Sequence, residues 1–432
     1  MPQLLAGVAK IVITPPVGID LTGFGNRSGP ASSVHDDLRA AALYLESNVP
    51  LLIMTSDLIG LDDASVAEIR AGIAEQMPIP AANIMIGCSH THSGPATPCL
   101  NYLGKVDRDY FTILKHKLIG LGKLAFNNRQ PAALGHLREP VSIGANRRKL
   151  VDGQMQMIPN DAGAIAAWVD VVAVDTMAGL PLARYFVNAT HAVTVSGLEL
   201  SADWPGYAQR IVERIYGDGC IALFGQGCCG NINSDPRGTF EIAERQGRIM
   251  AGAVVKAAEY CTKYPEVTLG AASEVLPLPC FDPPSVEAAE ALVAQARQQA
   301  ADPANNYGVQ MMADGNLEWT ERIVALAQAG ATGLTRNCEV QAFRLGEFGL
   351  VGLPGEVFVE YALNIDAHAG YQQTATMAYT NGNIGYIPDA QAYPDGGYEV
   401  EHAIRFYGDT MLTPESEKLI LDSALGLLQQ LH

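Results

Sequence analysis

The sequence has few charged residues, no long uncharged apolar run and no CxxC pair of cysteines. Charged residues make up 17% of the 432 positions and hydrophobic residues 48%. This balance argues against a disordered chain, because disorder needs high charge and low hydrophobicity. A transmembrane helix needs an uncharged apolar run of roughly 18 residues, and none is present. The eight cysteines include no CxxC pair, so we expect buried, reduced thiols rather than a structural zinc ribbon.

Basic residues are also scarce, since 28 lysines and arginines stand against 46 aspartates and glutamates, a net charge of −18. An acidic surface repels phosphate backbones and anionic lipid headgroups, so nucleic acid is not an expected partner. The N-terminal apolar stretch is interrupted by Lys10 and stopped by Pro15 and Pro16. That pattern differs from a secretion signal, and we expect a cytoplasmic protein without a transmembrane segment.

Short runs rich in Val, Ile and Leu alternate with helical patterns over the first 270 residues. This alternation predicts an α/β fold in which a layered, mixed β-sheet core is flanked by helices. The predicted strands are residues 51–55, 83–88, 169–174, 184–188, 220–224, 338–345 and 349–353. The predicted helices are residues 63–76, 107–125, 205–216, 239–261, 356–368 and 414–431. Asp203 is a plausible N-cap of the third helix, with Pro205 in its first turn.

The composition changes after Leu278. Residues 284–302 and 316–329 are rich in Ala, Glu and Gln and are predicted to be helical. We interpret residues 281–335 as a helical insertion, either a lid or an oligomer contact, within a single catalytic domain that spans residues 1–432.

The most specific local signal is the run His90-Thr91-His92-Ser93-Gly94-Pro95, which follows a predicted strand. Residues i and i+2 of an extended chain face the same side, so His90 and His92 project together. Two adjacent imidazoles suit a first-row metal ion, above all zinc. The alternative is two polar residues in an ordinary loop.

Other candidates come from distant parts of the chain. His191 also ends an apolar strand, where open α/β sheets gather their sites, although a lone histidine is more often structural. Glu356 follows a strand and a tight turn, and can either ligate the metal or favour the dipole of a helix N-terminus. The glycine-rich loop from residue 380 carries Tyr386, Tyr393 and Tyr398, which fit either a binding wall or ordinary packing.

A glycine-rich run at residues 225–234 follows the predicted strand 220–224. Its glycines allow backbone amides to face a ligand oxygen, but the GK[ST] element of a phosphate-binding loop is absent. Cys228 and Cys229 lie within this run. A histidine-activated thiol nucleophile at either position is the main rival mechanism.

Together these segments resemble the neutral, non-lysosomal ceramidase family, specifically its N-terminal catalytic domain. The resemblance rests on the His-Thr-His-Ser-Gly-Pro run, the strand ending in His191, the Leu-Pro-Gly turn before Glu356, and the spacing of the three tyrosines. It covers most of the chain. Two departures stand out. The family's Gly-Asp-Val-Ser-Pro-Asn stretch reads Gly-Asn-Ile-Asn-Ser-Asp here, with Asn233 at the serine position. The chain also ends at His432, without the extra C-terminal β-domain of full-length ceramidases.

The resemblance assigns roles to ten residues. It implies that one zinc ion is bound by His90, His191, Glu356 and Tyr386. It implies that the catalytic residues are His92, Arg147 and Tyr398, with Arg148 as the alternative to Arg147. It implies that the substrate contacts Tyr393, Asn233 and Gly230.

The sequence therefore predicts a zinc-dependent hydrolase that cleaves an amide bond with metal-activated water. The expected substrate is ceramide or a smaller, lipid-like N-acyl compound, and a homo-oligomer is left open. The alternatives are an esterase or lactonase on the same site, a thiol hydrolase using Cys228 or Cys229, and a metal-holding binding protein without turnover.

Overall fold

The computed structural model describes residues 3–217 and 219–432. Its strands are β1 (Leu5–Val12), β2 (Ser33–Val34), β3 (Arg39–Glu46), β4 (Pro50–Ser56), β5 (Ile84–Cys88), β6 (Gln130–Pro140), β7 (Gly144–Val151), β8 (Gln154–Asn160), β9 (Trp168–Thr176), β10 (Pro181–Asn188), β11 (Glu199–Leu200), β12 (Ile221–Gln226), β13 (Ile232–Ser234), β14 (Leu269–Pro279), β15 (Thr335–Leu345), β16 (Phe348–Gly352), β17 (Glu356–Val357), β18 (Gln373–Met377) and β19 (Tyr386–Ile387). Its α-helices are α1 (Asp63–Gln76), α2 (Arg108–Asn127), α3 (Asp203–Tyr216), α4 (Phe240–Tyr260), α5 (Val286–Ala300), α6 (Tyr307–Gln328), α7 (Val359–His368) and α8 (Glu415–Leu431).

Two sheets form the centre of the molecule. The larger has the strand order β12-β10-β9-β6-β1-β3-β4-β5, and the smaller has the order β14-β15-β16-β18. In the larger sheet only the outermost pairs, β10 with β12 and β4 with β5, are parallel. Strand β12 also approaches β3, β4 and β5, so the larger sheet curls until its two edges come near each other.

The core lies in three apolar layers. Leu43, Ile53 and Leu223 of the larger sheet share one buried cluster with Phe343 and Leu350 of the smaller sheet, so the two sheets pack face to face. Helices α1 and α2 cover one half of the larger sheet's outer face, and α3 and α4 cover the other half. Helices α7 and α8 pack on the outer face of the smaller sheet. The predicted layered α/β fold with flanking helices is confirmed.

The predicted elements agree closely with the structure, with three exceptions at helix starts. The helix predicted from residue 316 begins at Tyr307, because the side chain of Asn306 caps it by accepting from Val309 N. Helix α3 begins at Asp203 itself, so the prediction that Asp203 is the N-cap is wrong; its carboxylate accepts the backbone N–H groups of Trp204 and Val195. The helix predicted from residue 356 begins at Val359, because Glu356 and Val357 pair in β17 with β19.

Residues 281–335 contain α5 and α6, which pack against each other between β14 and β15. Those two strands pair antiparallel from Leu269 with Leu345 to Pro279 with Thr335, so the helices replace the turn of a long hairpin. The eight cysteines are all buried and unpaired, as predicted. Among the described residues no helix combines the length and apolar character needed to cross a membrane.

We predict that Gly7→Ala destabilises the fold by about 1–3 kcal/mol, as overpacking of a core does. A methyl group at Gly7 in β1 would lie 2.1 Å from the carbonyl oxygen of Ala125, where α2 crosses the strand. The matched control is Gly120→Ala on α2, where an added methyl meets nothing within 4 Å. That change should stabilise the protein by up to about 1 kcal/mol through helix propensity. Urea unfolding of both variants checks the contrast, and equal midpoints would contradict it.

Candidate metal centre

Three histidines meet where strands of the larger sheet end. His90 and His92 follow β5, and His191 follows β10. One ring nitrogen from each lies within 4.8 Å of the other two. His90 and His191 are buried, and His92 is partly buried. The sequence prediction that these distant histidines come together is therefore confirmed.

Hydrogen bonds fix the tautomers of two of these rings. Nδ1 of His90 lies 2.6 Å from the carbonyl oxygen of Ile59, and Nδ1 of His191 lies 2.6 Å from that of Cys229. A carbonyl can only accept, so each Nδ1 carries the proton and each Nε2 keeps a free lone pair. Histidine ligands of metals are normally oriented by such a bond on the other ring nitrogen.

Glu356 brings a carboxylate to the same point. Its Oε2 lies 3.6 Å from Nε2 of His90 and 3.4 Å from Nε2 of His191. Its other oxygen, Oε1, accepts a hydrogen bond from the hydroxyl of Tyr407. Burial acts to raise the pKa of Glu356, whereas protonated imidazoles at His90 and His191 and the hydrogen bond from Tyr407 act to lower it. With both rings neutral, a bound cation would take the place of those protons in keeping the carboxylate ionised.

The donor atoms fit a divalent metal ion. Two atoms that each lie about 2.1 Å from one tetrahedral ion are about 3.4 Å apart. Oε2 of Glu356 lies 3.4 Å from Nε2 of His191 and 3.6 Å from Nε2 of His90, which matches this separation. Nε2 of His92 lies 3.2 Å from Nε2 of His90, so it belongs to the same cluster. Burial lowers the pKa of His90 to about 3, and a neutral imidazole is the form that binds a metal. The buried group of His90, His92 and His191 could thus hold a metal ion.

The polypeptide is strained at this point. His90 has a φ of 57° and Tyr379 a φ of 51°, both in the left-handed region that non-glycine residues rarely adopt. Their rings stack with centroids 3.9 Å apart. Strain of this kind is concentrated at functional sites, where the surrounding structure maintains it.

Arg147 is the buried cation beside the cluster. Its Nε donates to Glu399 Oε1 at 2.8 Å, Nη1 to Asn233 Oδ1 at 3.0 Å, and Nη2 to the Tyr386 hydroxyl at 2.9 Å. Arg148 donates instead to the other oxygen of Glu399 at 2.6 Å. Of the two arginines left open by the sequence, Arg147 is the one bonded to Tyr386, whose strand pairs directly with that of Glu356.

Solved structures of two ceramidases share this architecture over the whole chain. One is a crystal structure of neutral ceramidase from Pseudomonas aeruginosa, with a TM-score of 0.73 and 17% sequence identity; the match covers 100% of this chain and 75% of that one. The other is a ceramidase complexed with C2, with a TM-score of 0.75 and 16% identity, covering 100% and 76%. The chain has the neutral ceramidase fold. No protein-family model and no curated protein matches the sequence.

Within this ceramidase fold, Tyr398 and Tyr386 lie together at the site. Their ring centroids are 5.8 Å apart, and that of Tyr407 is 6.2 Å from Tyr386. Burial raises the pKa of all three phenols, so they stay protonated and can donate hydrogen bonds. That Tyr386 ligates the metal and Tyr398 acts in catalysis remain predictions, as do the ligand roles of His90, His191 and Glu356.

The three predicted substrate contacts fall in different surroundings. Asn233 touches Arg147. Gly230 packs against the backbone of β17, which carries Glu356. The N–H of Gly230 donates to Val357 O at 2.8 Å, and a Cβ added at Gly230 would lie 2.4 Å from Glu356 O. Tyr393 donates to Leu412 O at 2.9 Å and faces Phe281, so its described contacts do not reach the histidines.

His92 is held by the loop at residues 22–27. Its ring centroid lies 4.7 Å from that of Phe24, and its carbonyl accepts from the guanidinium of Arg27. An added Cβ at Gly23 would lie 2.5 Å from Cγ of His92. Nδ1 of His92 is buried without a hydrogen-bond partner among the described residues. Burial, with His90 and His191 nearby, lowers the pKa of His92 well below its usual range.

Helix α6 of the 281–335 segment rests on this same loop. The N–H of Gly308 donates to Arg27 O at 2.9 Å, and Tyr307 donates to Asp20 Oδ1 at 2.8 Å. Met312 fills the space above Gly25, where an added Cβ would lie 1.9 Å from its sulfur. Whether the segment acts as a lid stays a prediction, but it contacts the loop that positions His92.

Sequence reasoning missed Tyr379 and Tyr407. The Tyr379 hydroxyl lies 3.4 Å from both His191 Nε2 and Glu356 Oε2. Tyr379 lies two residues after the end of β18, so the rule that singled out His191 at a strand end applies to it as well. Tyr407 lies after an irregular helical segment, and no local pattern marks it.

Cys228 and Cys229 lack the surroundings of a nucleophile. Both are buried, and burial raises the pKa of each thiol, whereas a reactive cysteine needs a lowered pKa. The sulfur of Cys229 lies 3.2 Å from the Tyr379 hydroxyl, and His191 contacts only the carbonyl oxygen of Cys229. The geometry gives the thiol mechanism no support.

We predict that His90→Ala and His191→Ala each lower the affinity for Zn²⁺ by more than about 100-fold, since losing even an outer partner of a ligand costs roughly 10- to 100-fold. His136→Ala is the control, because its Nδ1 lies beside Gln373 Oε1, away from the cluster. Elemental analysis and competition with a fluorescent chelator measure the change. Wild-type affinity in either variant would contradict the assignment.

Proposed function

We propose that the protein is a zinc-dependent hydrolase that cleaves the amide bond of an N-acyl compound. One observation carries this proposal. The Nε2 lone pairs of His90 and His191 and one carboxylate oxygen of Glu356 are buried and face a single point. A guanidinium and protonated phenols lie beside that point. The shared fold with two solved ceramidases supports the same reaction class.

A zinc ion bound by His90, His191 and Glu356 would polarise a carbonyl oxygen and lower the pKa of a coordinated water to about 7. With His90, His191 and Glu356 assigned as the ligands, His92 is left for proton transfer, because its Nε2 faces the cluster at 3.2 Å from Nε2 of His90. We assign to this neutral imidazole the removal of a proton from the attacking water and its delivery to the nitrogen of the leaving amine.

The remaining polar groups are assigned to the developing negative charge on the carbonyl oxygen. Tyr398 can donate its phenolic proton, and Arg147 keeps Tyr386 oriented through the 2.9 Å bond to its hydroxyl. Donors held in place before the reaction stabilise a tetrahedral oxyanion without reorganisation, and each contributes about 2.7–4 kcal/mol in a well-studied protease. Nε of Arg147 forms an ion pair with Oε1 of Glu399 at 2.8 Å. This ion pair holds the guanidinium in place, and we assign Arg147 to positioning Tyr386 and not to direct contact with the substrate.

Ceramide is the first substrate to test, since the solved relatives are ceramidases. Smaller N-acyl compounds come next, because Asn233 occupies the position of the family's serine. An ester or lactone can use the same groups, so esterase or lactonase activity on this site is the alternative.

We predict that the zinc-loaded protein releases fatty acid from a short-chain ceramide or an N-acyl amine and that dialysis against a chelator abolishes this activity. Adding Zn²⁺ back should restore it, while iodoacetamide should have little effect because both cysteines of the glycine-rich run are buried. Liquid chromatography of the products, with matched esters in parallel, provides the measurement. Activity that survives chelation but not alkylation would favour the thiol mechanism instead.

We predict that Gly23→Ala lowers kcat by about 10- to 100-fold, the loss expected when a catalytic group is displaced by about 1 Å. The added methyl would collide with the His92 ring, and Gly23 has a φ of 92°, which disfavours a side chain. Gly29→Ala in the following turn is the control, since nothing lies within 4 Å of an added Cβ there. Zinc content should remain at the wild-type level in both variants. An unchanged kcat in Gly23→Ala would remove His92 from the mechanism.

A further inference from the structure

One tyrosine contacts all three chain segments that carry the assigned metal ligands. Its backbone joins two of them. The carbonyl oxygen of Tyr379 accepts from the N–H of Cys88 at 3.3 Å, two residues before His90. The N–H of Tyr379 donates to Gly355 O at 3.1 Å, one residue before Glu356. The backbone of Tyr379 therefore sets how far apart the segments of these two ligands lie.

The side chain of Tyr379 reaches the ligands themselves. Its ring lies on the imidazole of His90, with centroids 3.9 Å apart and an interplanar angle of 20°. Its hydroxyl lies 3.4 Å from Nε2 of His191, 3.4 Å from Oε2 of Glu356 and 3.2 Å from the sulfur of Cys229. The residue is 1% exposed. This one buried side chain thus touches each of the three assigned ligands.

The hydroxyl of Tyr379 has one proton and lies equally far from two strong acceptors. Both distances exceed the roughly 2.7 Å of an ideal O–H···O bond, which fits one proton placed between two acceptors. Nε2 of His191 has a single lone pair, and once that lone pair binds a cation it no longer accepts. Oε2 of Glu356 keeps a second lone pair, and the sulfur of Cys229 is only a weak acceptor. Metal binding therefore directs the hydroxyl proton to Glu356.

The carboxylate of Glu356 is then held on both oxygens. Oε1 accepts from the Tyr407 hydroxyl, and Oε2 accepts from Tyr379. Oε2 is also the oxygen that faces the histidine nitrogens. A carboxylate held in this way offers one oxygen to the ion. Two imidazoles and one carboxylate form a ligand set of catalytic zinc sites, whereas Ca²⁺ takes six to eight oxygen ligands and often a carboxylate through both oxygens.

We propose that Tyr379 is a positioning residue of the metal centre, whose hydroxyl holds Glu356 to coordination through one oxygen. The backbone conformation supports this role, because a φ of 51° is rare for a bulky side chain and is kept only where the surrounding structure maintains it. The inference rests on the proposed zinc site and extends it to a residue that the sequence did not mark.

The first test removes only the hydroxyl. Tyr379→Phe keeps the ring on His90 and should lower the affinity for Zn²⁺ about 10- to 100-fold, the cost of losing an outer partner of a ligand. Tyr361→Phe is the matched control, since Tyr361 is also 1% exposed and donates to Pro388 O at 3.1 Å. Competition with a fluorescent chelator measures both. Wild-type affinity in Tyr379→Phe would overturn the proposal.

The second test reads the coordination directly, with Co²⁺ in place of zinc. Visible absorption per bound Co²⁺ falls as the number of ligand atoms rises. In Tyr379→Phe the carboxylate is free to bind through both oxygens, so the absorption should decrease, while Tyr361→Phe should match the wild type. A loss of stability alone would reduce the amount of bound Co²⁺ and not the absorption of each ion. Unchanged absorption per ion in Tyr379→Phe would contradict the inference.

A double-mutant cycle shows through which group the hydroxyl acts. In a Glu356→Ala background, Tyr379→Phe should lower the affinity for Zn²⁺ by less than about 3-fold, because residues that act as a pair are not additive. The full 10- to 100-fold loss in that background would mean that the hydroxyl acts on another group, and the proposed role would be wrong.

The same measurements separate this inference from the proposed function. If the wild type binds Zn²⁺ and hydrolyses amides while Tyr379→Phe binds Zn²⁺ equally well, only the role of Tyr379 fails. If Zn²⁺ binding depends on Tyr379 as expected but no amide or ester is hydrolysed, only the proposed reaction fails. A wild-type protein that binds no Zn²⁺ would overturn both.

Discussion

The segment at residues 377–381 is hydrogen-bonded to both edges of the curled eight-stranded sheet. The N–H of Cys88 donates to Tyr379 O and that of Asn381 to Ile86 O, while the N–H of Ala378 donates to Gln226 O. Strands β5 and β12 are at opposite ends of the strand order, yet this one segment joins them. The positions of His90 after β5 and His191 after β10 depend on that closure, because neither strand edge alone would bring them together.

A second constraint is electrostatic. The carboxylate of Glu356 is 2% exposed, and a buried ion without a partner costs several kcal/mol. The imidazoles next to it present lone pairs rather than N–H groups, since each Nδ1 already donates to a carbonyl. The hydroxyl of Tyr407 donates to one carboxylate oxygen, and that of Tyr379 lies 3.4 Å from the other. A divalent cation at this point would compensate the carboxylate and both lone pairs at once, which is why the donor set, more than any motif, argues for a metal.

Most of the fold could be predicted from the sequence because its strands are short, apolar and rich in branched residues. Strand β14 was missed since its exposed middle lacks an apolar pattern, and β8 was missed because it is mostly exposed. Strand β7 was missed because its buried middle, Asn146-Arg147-Arg148, is polar. The three histidines of the site could be predicted because they follow strands with strong apolar patterns. Tyr407 and Glu399 could not be, since their positions depend on contacts with residues more than 50 and 250 positions away, which no local pattern encodes.

Asn233 shows how the two halves of the site are connected. Its amide oxygen accepts a hydrogen bond from Arg147, so Asn233 helps to hold the cation that also bonds to Tyr386. The amide oxygen of Asn233 can only accept, and it accepts from the guanidinium, while the N–H groups of the same amide can still donate. Arg147 is thus held from three sides, by Asn233, by the Tyr386 hydroxyl and by Glu399, because each of its guanidinium nitrogens donates to one of them. A buried cation held in this way keeps one orientation toward Tyr386, so the geometry beside Glu356 depends on residues from three distant parts of the chain.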